Sequence, residues 1–206
     1  QCNEMWQTDF KGDFLLGNGM RCYPLTILDD HSRFSIRIEP KSSATGVKDS
    51  FIHAFCEYGL PNAVLSDNGA QFAGAHRGLA YFERFLMDLD ILPIHGRPIH
   101  PQTQGKIERF HRTLKKEALR IIPANMEEAR IRLNNWRWIY NEVRPHHSLG
   151  LKTPSSVYHP STRPYYKPKA YIYDEGARLI KVNNWGYIRF GPMQLFLSEA
   201  LADTYV

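Results

Sequence analysis

Apolar and polar positions alternate over "EMWQTDF" (4–10), the pattern of a strand with one face toward a core. Two further strands follow, "RCYPLTILDD" (21–30) and "RFSIRIE" (33–39), joined by the tight turn "DDHS". Asp and Ser favour such a turn because their side chains bond nearby backbone. The period then lengthens. In "ATGVKDSFIHAFCEYGLP" (44–61), Val47, Phe51, Ala54, Phe55 and Tyr58 keep a helical spacing, ended by Gly59 and Pro61. "NAVLSD" (62–67) is a short buried strand closing on Asp67. "AHRGLAYFERFLMDLD" (75–90) predicts a helix and "ILPIHG" (91–96) a strand. Helices are predicted from about Gln104 to Ile121 and over 126–143, the second with a stripe of Ala129, Leu133, Trp136 and Tyr140. Thr153 and Pro154 begin a short helix.

The segment 159–169, "HPSTRPYYKPK", is rich in Pro and predicts a linker. Beyond it "AYIYDEG", "RLIKV", "YIRFG" and "MQLFLSEAL" predict short strands, with "NNWG" as a hairpin turn. The order is three strands, then strands alternating with helices, then a small β unit. That order predicts an α/β fold with a mixed sheet flanked by helices. The expected domains are a core with a helical tail over 1–158, the linker, and a small β domain over 170–206.

Composition narrows the function. The chain has 206 residues, 43% of them hydrophobic, enough for one well-packed domain and a small appendage. A net charge of +5 favours a polyanionic partner without requiring one. Cys2, Cys22 and Cys56 form neither a metal-type pair nor a disulfide framework. No apolar run is long enough for a membrane span. "QCNEMWQTDF" is no signal peptide, and with no initial Met the sequence reads as a fragment of a longer chain.

The charge is concentrated. From His100 to Arg120, Lys106, Arg109, Arg112, Lys115, Lys116 and Arg120 face just two acids, Glu108 and Glu117. In that helix Ile107, Phe110, Leu114, Ala118 and Ile121 make one apolar stripe for the sheet. Glu108 lies about 100° round from Ile107, at the edge of the stripe. Arg112 and Lys115 share its flank. Asp9 in the first strand and Asp67 at the end of the fourth are costly to bury without compensation. Carboxylates suit hard cations such as Mg²⁺ or Mn²⁺. One helix face would therefore present an acid for metal and, beyond it, cations for phosphate.

The stretches "WQTDF", "LDDHSRF", "LSDNGAQF", "HPQTQGKIERFHRTLKKE" and "YNEVRPHHSLGLKTPSSVY" together resemble the catalytic core of insertion-sequence transposases and the related retroviral integrases. The resemblance covers about 4–158. It implies a ribonuclease H-like fold with a five-stranded mixed sheet and a D,D,E set of Asp9, Asp67 and Glu108 as catalytic and metal-binding residues. It also implies two ions, with Asp9 bridging both, and metal-dependent cleavage and strand transfer on transposon ends and target DNA. Arg109, Arg112, Lys115, Lys116 and Asn68 are the expected DNA contacts. A homodimer or larger assembly is expected, working in a bacterial cytoplasm at the nucleoid. One departure is visible: 40 residues separate Asp67 from Glu108, more than in many integrases. Residues 170–206 fall where integrases carry a small, SH3-like DNA-binding barrel, with Arg178, Lys181, Trp185, Tyr187 and Arg189 available for DNA. A ribonuclease H-like nuclease and an inactive DNA-binding relative are the alternative functions.

Simpler roles compete at several positions. Asp29 and Asp30 read as turn residues, and Asn68 and Gly69 as shaping the turn that holds Asp67. His95, His100 and His111 lack zinc spacing. "RPHHS" (144–148) is expected to fold back on the core. Without metal the three carboxylates should repel one another, leaving Glu108 swung out behind a mobile "RPIHPQTQG".

Overall fold

The computed structural model describes residues 1–73, 78–96, 105–168 and 171–206. The strands are β1 (Met5–Phe10), β2 (Phe14–Leu15), β3 (Arg21–Asp29), β4 (Ser35–Lys41), β5 (Ala63–Ser66) and β6 (Leu92–His95). β4, β3, β1, β5 and β6 lie side by side, antiparallel up to β1 and parallel from β1 to β6. β2 continues β1 along β3. Phe10 pairs with Leu25 and Phe14 with Cys22, so one extra residue bulges out around Gly12, where φ is +86°. The mixed sheet with its meander agrees with the sequence reading; the bulged extension was not foreseen in it.

The "DDHS" turn forms as expected. Asp29 Oδ1 accepts both the amide and the hydroxyl of Ser32, at 2.8 and 2.6 Å. Arg33 then takes a left-handed conformation, so β4 starts two residues later than the pattern suggested.

The helices are α1 (Val47–Tyr58), α2 (Ala70–Ala73), α3 (Tyr81–Met87), α4 (Gly105–Glu117) and α5 (Met126–Trp138). α1 and α3 cover one face of the sheet, around Trp6, Ile27, Phe51, Phe55, Phe82 and Leu86. α4 and α5 cover the other, where Leu28 and Ile38 meet Phe110, Leu114, Leu133, Trp136 and Tyr140. α3 is shorter than expected. Glu83 accepts the amide of Ala80 at 2.5 Å and starts the helix there, and the expected segment 75–77 lies outside the described residues. α4 ends at Glu117, leaving Ile121 71% exposed. Pro123 pushes the residue before it out of helical geometry, and the chain turns to bond Gly17 and Asn18. The expected start at Gln104 also lies outside the described residues.

Residues 144–168 return along the core. Ser161 and Arg163 bond the end of α1, and Tyr158 stacks on Phe34 at 4.3 Å. Gly59 (φ +77°) permits the closest approach, since a Cβ there would lie 2.7 Å from the Arg163 carbonyl. Beyond, β7 (Tyr187–Phe190) and β8 (Met193–Phe196) form a two-stranded antiparallel sheet. The strand expected at 170–176 is absent over its described residues. Tyr171 and Ile172 are exposed, and an alternating pattern with no neighbour to pair does not ladder.

Candidate active site

β1 and β5 run parallel in register, Met5 with Ala63 and Gln7 with Leu65. Asp9 is two residues past Gln7 and Asp67 two past Leu65. Both acids thus leave the sheet at one end, on adjacent strands. Asp9 pairs with Thr26 of β3, whose side chain faces α4. The loop after β5 is a turn built by its own side chain, since Asp67 Oδ1 accepts the amide of Gly69 at 2.9 Å.

The start of α4 is fastened to the same strands. Gln7 Oε1 accepts the amide of Ile107 at 3.2 Å, one of the N–H groups a helix start leaves unpaired. Gln7 also donates to Asp30 at 2.6 Å, and Lys106 pairs with Asp30 at 2.6 Å. Asp30 is therefore an anchor for α4, a larger part than the turn residue it resembled. Ile107, Phe110 and Leu114 enter the core, which leaves Glu108 exposed at the edge and His111 buried against β1 and β3.

Charge ties the acids together. Burial first, then the negative charge of Asp67, then that of Glu108, raise the Asp9 carboxyl to about 7. His111 goes the other way: burial, helped by Lys11, lowers it to about 3. His111 Nε2 is 2.7 Å from Thr26 Oγ1, which donates to the Asp9 carbonyl and so accepts from Nε2–H. Nδ1 then faces Asp9 Oδ2 at 3.7 Å without a proton. At neutral pH this contact is not an ion pair, because the imidazole is uncharged.

Next to the acids runs an open groove of about 770 Å³, lined by Lys11, Glu108, His111, Arg112, Lys115, Lys116, Leu119 and Arg120. It gathers Glu108 with three of the expected DNA-contacting residues, Arg112, Lys115 and Lys116. Arg109 is exposed on α4 outside the lining, and Asn68 donates to the Gly96 carbonyl at 3.0 Å. Lys11 and His111 were not singled out for this site from the sequence. Their signal was positional: Lys11 is two residues beyond Asp9, and His111 one helical turn beyond Glu108. The other acid of the run, Glu117, accepts from Arg144 at 2.6 and 2.7 Å and from Trp136 at 2.9 Å, and so belongs to the scaffold. "RPHHS" does fold back, as expected.

In the C-terminal unit Lys181 pairs with Asp203 at 3.0 Å, Arg178 lies over the Phe190 ring, and Trp185 is 73% exposed. Among the described residues no three His, Cys, Asp or Glu side chains are gathered tightly enough to form a ready metal cage. No described helix is long and apolar enough to cross a membrane.

A five-stranded mixed sheet between two helical layers, with two acids at one end of its central strands, defines a ribonuclease H-like core. Family models described as integrase core domain match residues 1–101 and 89–154. An uncharacterized 39.2 kDa protein of insertion element IS476 from Xanthomonas euvesicatoria is 31% identical over 156 residues, covering 74% of this chain and 43% of that protein. The Gag-Pro-Pol polyprotein of squirrel monkey retrovirus is 28% identical over 165 residues, 78% of this chain and 8% of the polyprotein. Among solved structures, the HTLV-2 integrase catalytic core in complex with magnesium superposes with a TM-score of 0.56 at 20% identity, over 76% of this chain and 97% of that one. The chain belongs to the integrase core family. It spans less than half the length of the IS476 protein it matches.

Proposed function

We propose that this chain is the catalytic part of a DNA transposase that cuts DNA and joins the freed 3′ end to a target. The observation that carries this reading is the placement of Asp9 and Asp67 at one end of adjacent parallel strands, beside a groove that holds Glu108 among cations. The donor chemistry suits a hard divalent cation: Asp9 is raised to about 7 by burial first and then by the charges of Asp67 and Glu108, a strain that a positive ion drawn between these carboxylates would relieve. Asp9, Asp67 and Glu108 would hold Mg²⁺ or Mn²⁺, which supplies Lewis-acid activation of the attacking and leaving oxygens when bound. The chain's remaining work is positioning. Lys11, Arg112, Lys115, Lys116 and Arg120 would seat phosphates along the groove. Neutral His111 would hold the Thr26 hydroxyl, which donates to the Asp9 carbonyl, without adding charge. Residues 170–206 would add exposed Trp185 and nearby bases as a second DNA surface. The insertion-element relatives are bacterial, which supports a proposed site of work on the chromosome in a bacterial cytoplasm. Two transposon ends must be held together, so a dimer or larger assembly is proposed.

The test is incubation of the protein with labelled duplexes carrying the element's ends, in Mn²⁺. Nicked and strand-joined products, both lost in Asp67→Asn, support the reading. Hydrolysis of RNA in a hybrid without any joined product would overturn it.

A further inference from the structure

His95 lies at the end of β6, opposite Ser66 of β5. Its Nδ1 is 3.2 Å from Ser66 Oγ and 3.3 Å from the Asp67 carbonyl. Its Nε2 is 2.7 Å from Glu83 Oε1 on α3. The second Glu83 oxygen is committed to the Ala80 amide at 2.5 Å, so the carboxylate that aims the ring is itself fixed to a helix start. Both side chains are largely shielded, at 24% and 16% exposure. The neighbouring backbone repeats the tie: the Gly96 amide donates to the Ser66 carbonyl, and Asn68 donates to the Gly96 carbonyl.

We propose that His95, aimed by Glu83, is a positioning residue that sets the backbone of Asp67 and thereby the direction of its carboxylate. The Asp67 side chain is locked to Gly69 within the same turn, so the turn moves as one piece. A shift of the Asp67 backbone therefore carries the carboxylate with it. With Nε2–H donating to Glu83, Nδ1 accepts from the hydroxyl of Ser66, the residue that leads directly into Asp67. Groups that orient a metal ligand this way typically change metal affinity ten- to a hundred-fold when lost. The proposal rests on the reading of Asp67 as a metal ligand.

The test measures Mn²⁺ binding to the protein through the electron paramagnetic resonance signal of the free ion, with no DNA or turnover involved. Asp67→Asn is the reference and must weaken binding. His95→Asn keeps a polar group where Nδ1 stands, whereas His95→Gln reaches Glu83 but leaves the Nδ1 position empty. Affinity should fall about ten-fold or more in His95→Gln and recover to within a few-fold of wild type in His95→Asn. Melting temperatures of the two variants should agree. Equal losses in both variants would make His95 a general structural residue and overturn the proposal. So would wild-type affinity in both. If Asp67→Asn itself binds Mn²⁺ normally, the metal reading of the site falls, and this proposal with it.

Discussion

Asp9 shows at the scale of one residue how burial and neighbouring acids set a carboxylate's charge against the fold. Its carboxyl titrates near 3.8 when unfolded and about 7 when folded. Below about pH 4 it is protonated in both states and has no effect on stability. Between pH 4 and 7 the unfolded chain gives up the proton more readily, so folding loses stability as pH rises. Asp9→Asn removes that loss. In EDTA the variant should melt a few degrees above wild type at pH 8 and level with it at pH 4, by scanning calorimetry (each kcal/mol is roughly 2–4 °C at this size). Asp67→Asn should abolish DNA cleavage while leaving duplex affinity nearly intact. Retained activity above about a tenth, a barrier change of only ~1.4 kcal/mol, contradicts the assignment. The acids themselves were legible in the sequence, because a carboxylate inside or just after an apolar strand violates its surroundings. His111 was not. A buried, neutral histidine looks like any other helix residue until the strand it packs on is known, and Thr26 is 85 residues away in the chain.

At the scale of elements α4 carries Glu108 and most of the groove cations, and its spacing was readable because one helical period must serve both the core and the groove. Ile107, Phe110 and Leu114 fix which way the helix faces, and Glu108, Arg112 and Lys115 follow from that. Its end was misjudged, since periodicity at Ala118 and Ile121 continues past the point where Pro123 and the contacts to Gly17 and Asn18 pull the chain away. The C-terminal strands were overcounted for a related reason. Alternation states that a strand is possible, and only a neighbour makes it one. Arg112→Ala and Lys115→Ala should each weaken all duplexes alike and flatten the salt dependence of binding by roughly 0.9 in log–log slope. Fluorescence anisotropy at several salt concentrations measures this, and an unchanged slope would separate that face of α4 from DNA. Asn125 caps α5 through its side chain on the Glu128 amide at 3.0 Å, so Asn125→Ala should cost about 1 kcal/mol in urea unfolding without altering the slope.

At the scale of the whole molecule, the core is closed by contacts between its N-terminal residues and the segment 144–168. Asn3, in a left-handed conformation at φ 61°, is the hub. Its Oδ1 accepts from Trp6 Nε1 at 3.0 Å and from the Tyr158 hydroxyl at 2.9 Å, and its Nδ2 donates to the His159 carbonyl at 2.8 Å. Its amide donates to Asp29 Oδ2 at 2.8 Å, the same carboxylate that builds the "DDHS" turn. Tyr158 lies flat on Phe34, and Arg163 bonds the carbonyls of Pro61, Leu89 and Asp90 between the ends of α1 and β6. None of this could be read from a Pro-rich segment whose partners lie some 70 to 155 residues away in the chain. Proline fixes an extended backbone whether the segment hangs free or lies against a surface. The segment 144–168 thus works as a strap across the end of the sheet opposite the acids. A chain ended at 143 should still contain every proposed ligand and every groove cation, yet lose the ring stack, the Asn3 bonds to Tyr158 and His159, and the Arg163 contacts together. Removing one large aromatic from a packed site already costs about 3–5 kcal/mol. The shortened chain should therefore melt at least about 5 °C lower than one ended at 168, with a broader transition, by circular dichroism. Equal melting of the two would show that the strap merely decorates a core that is stable without it.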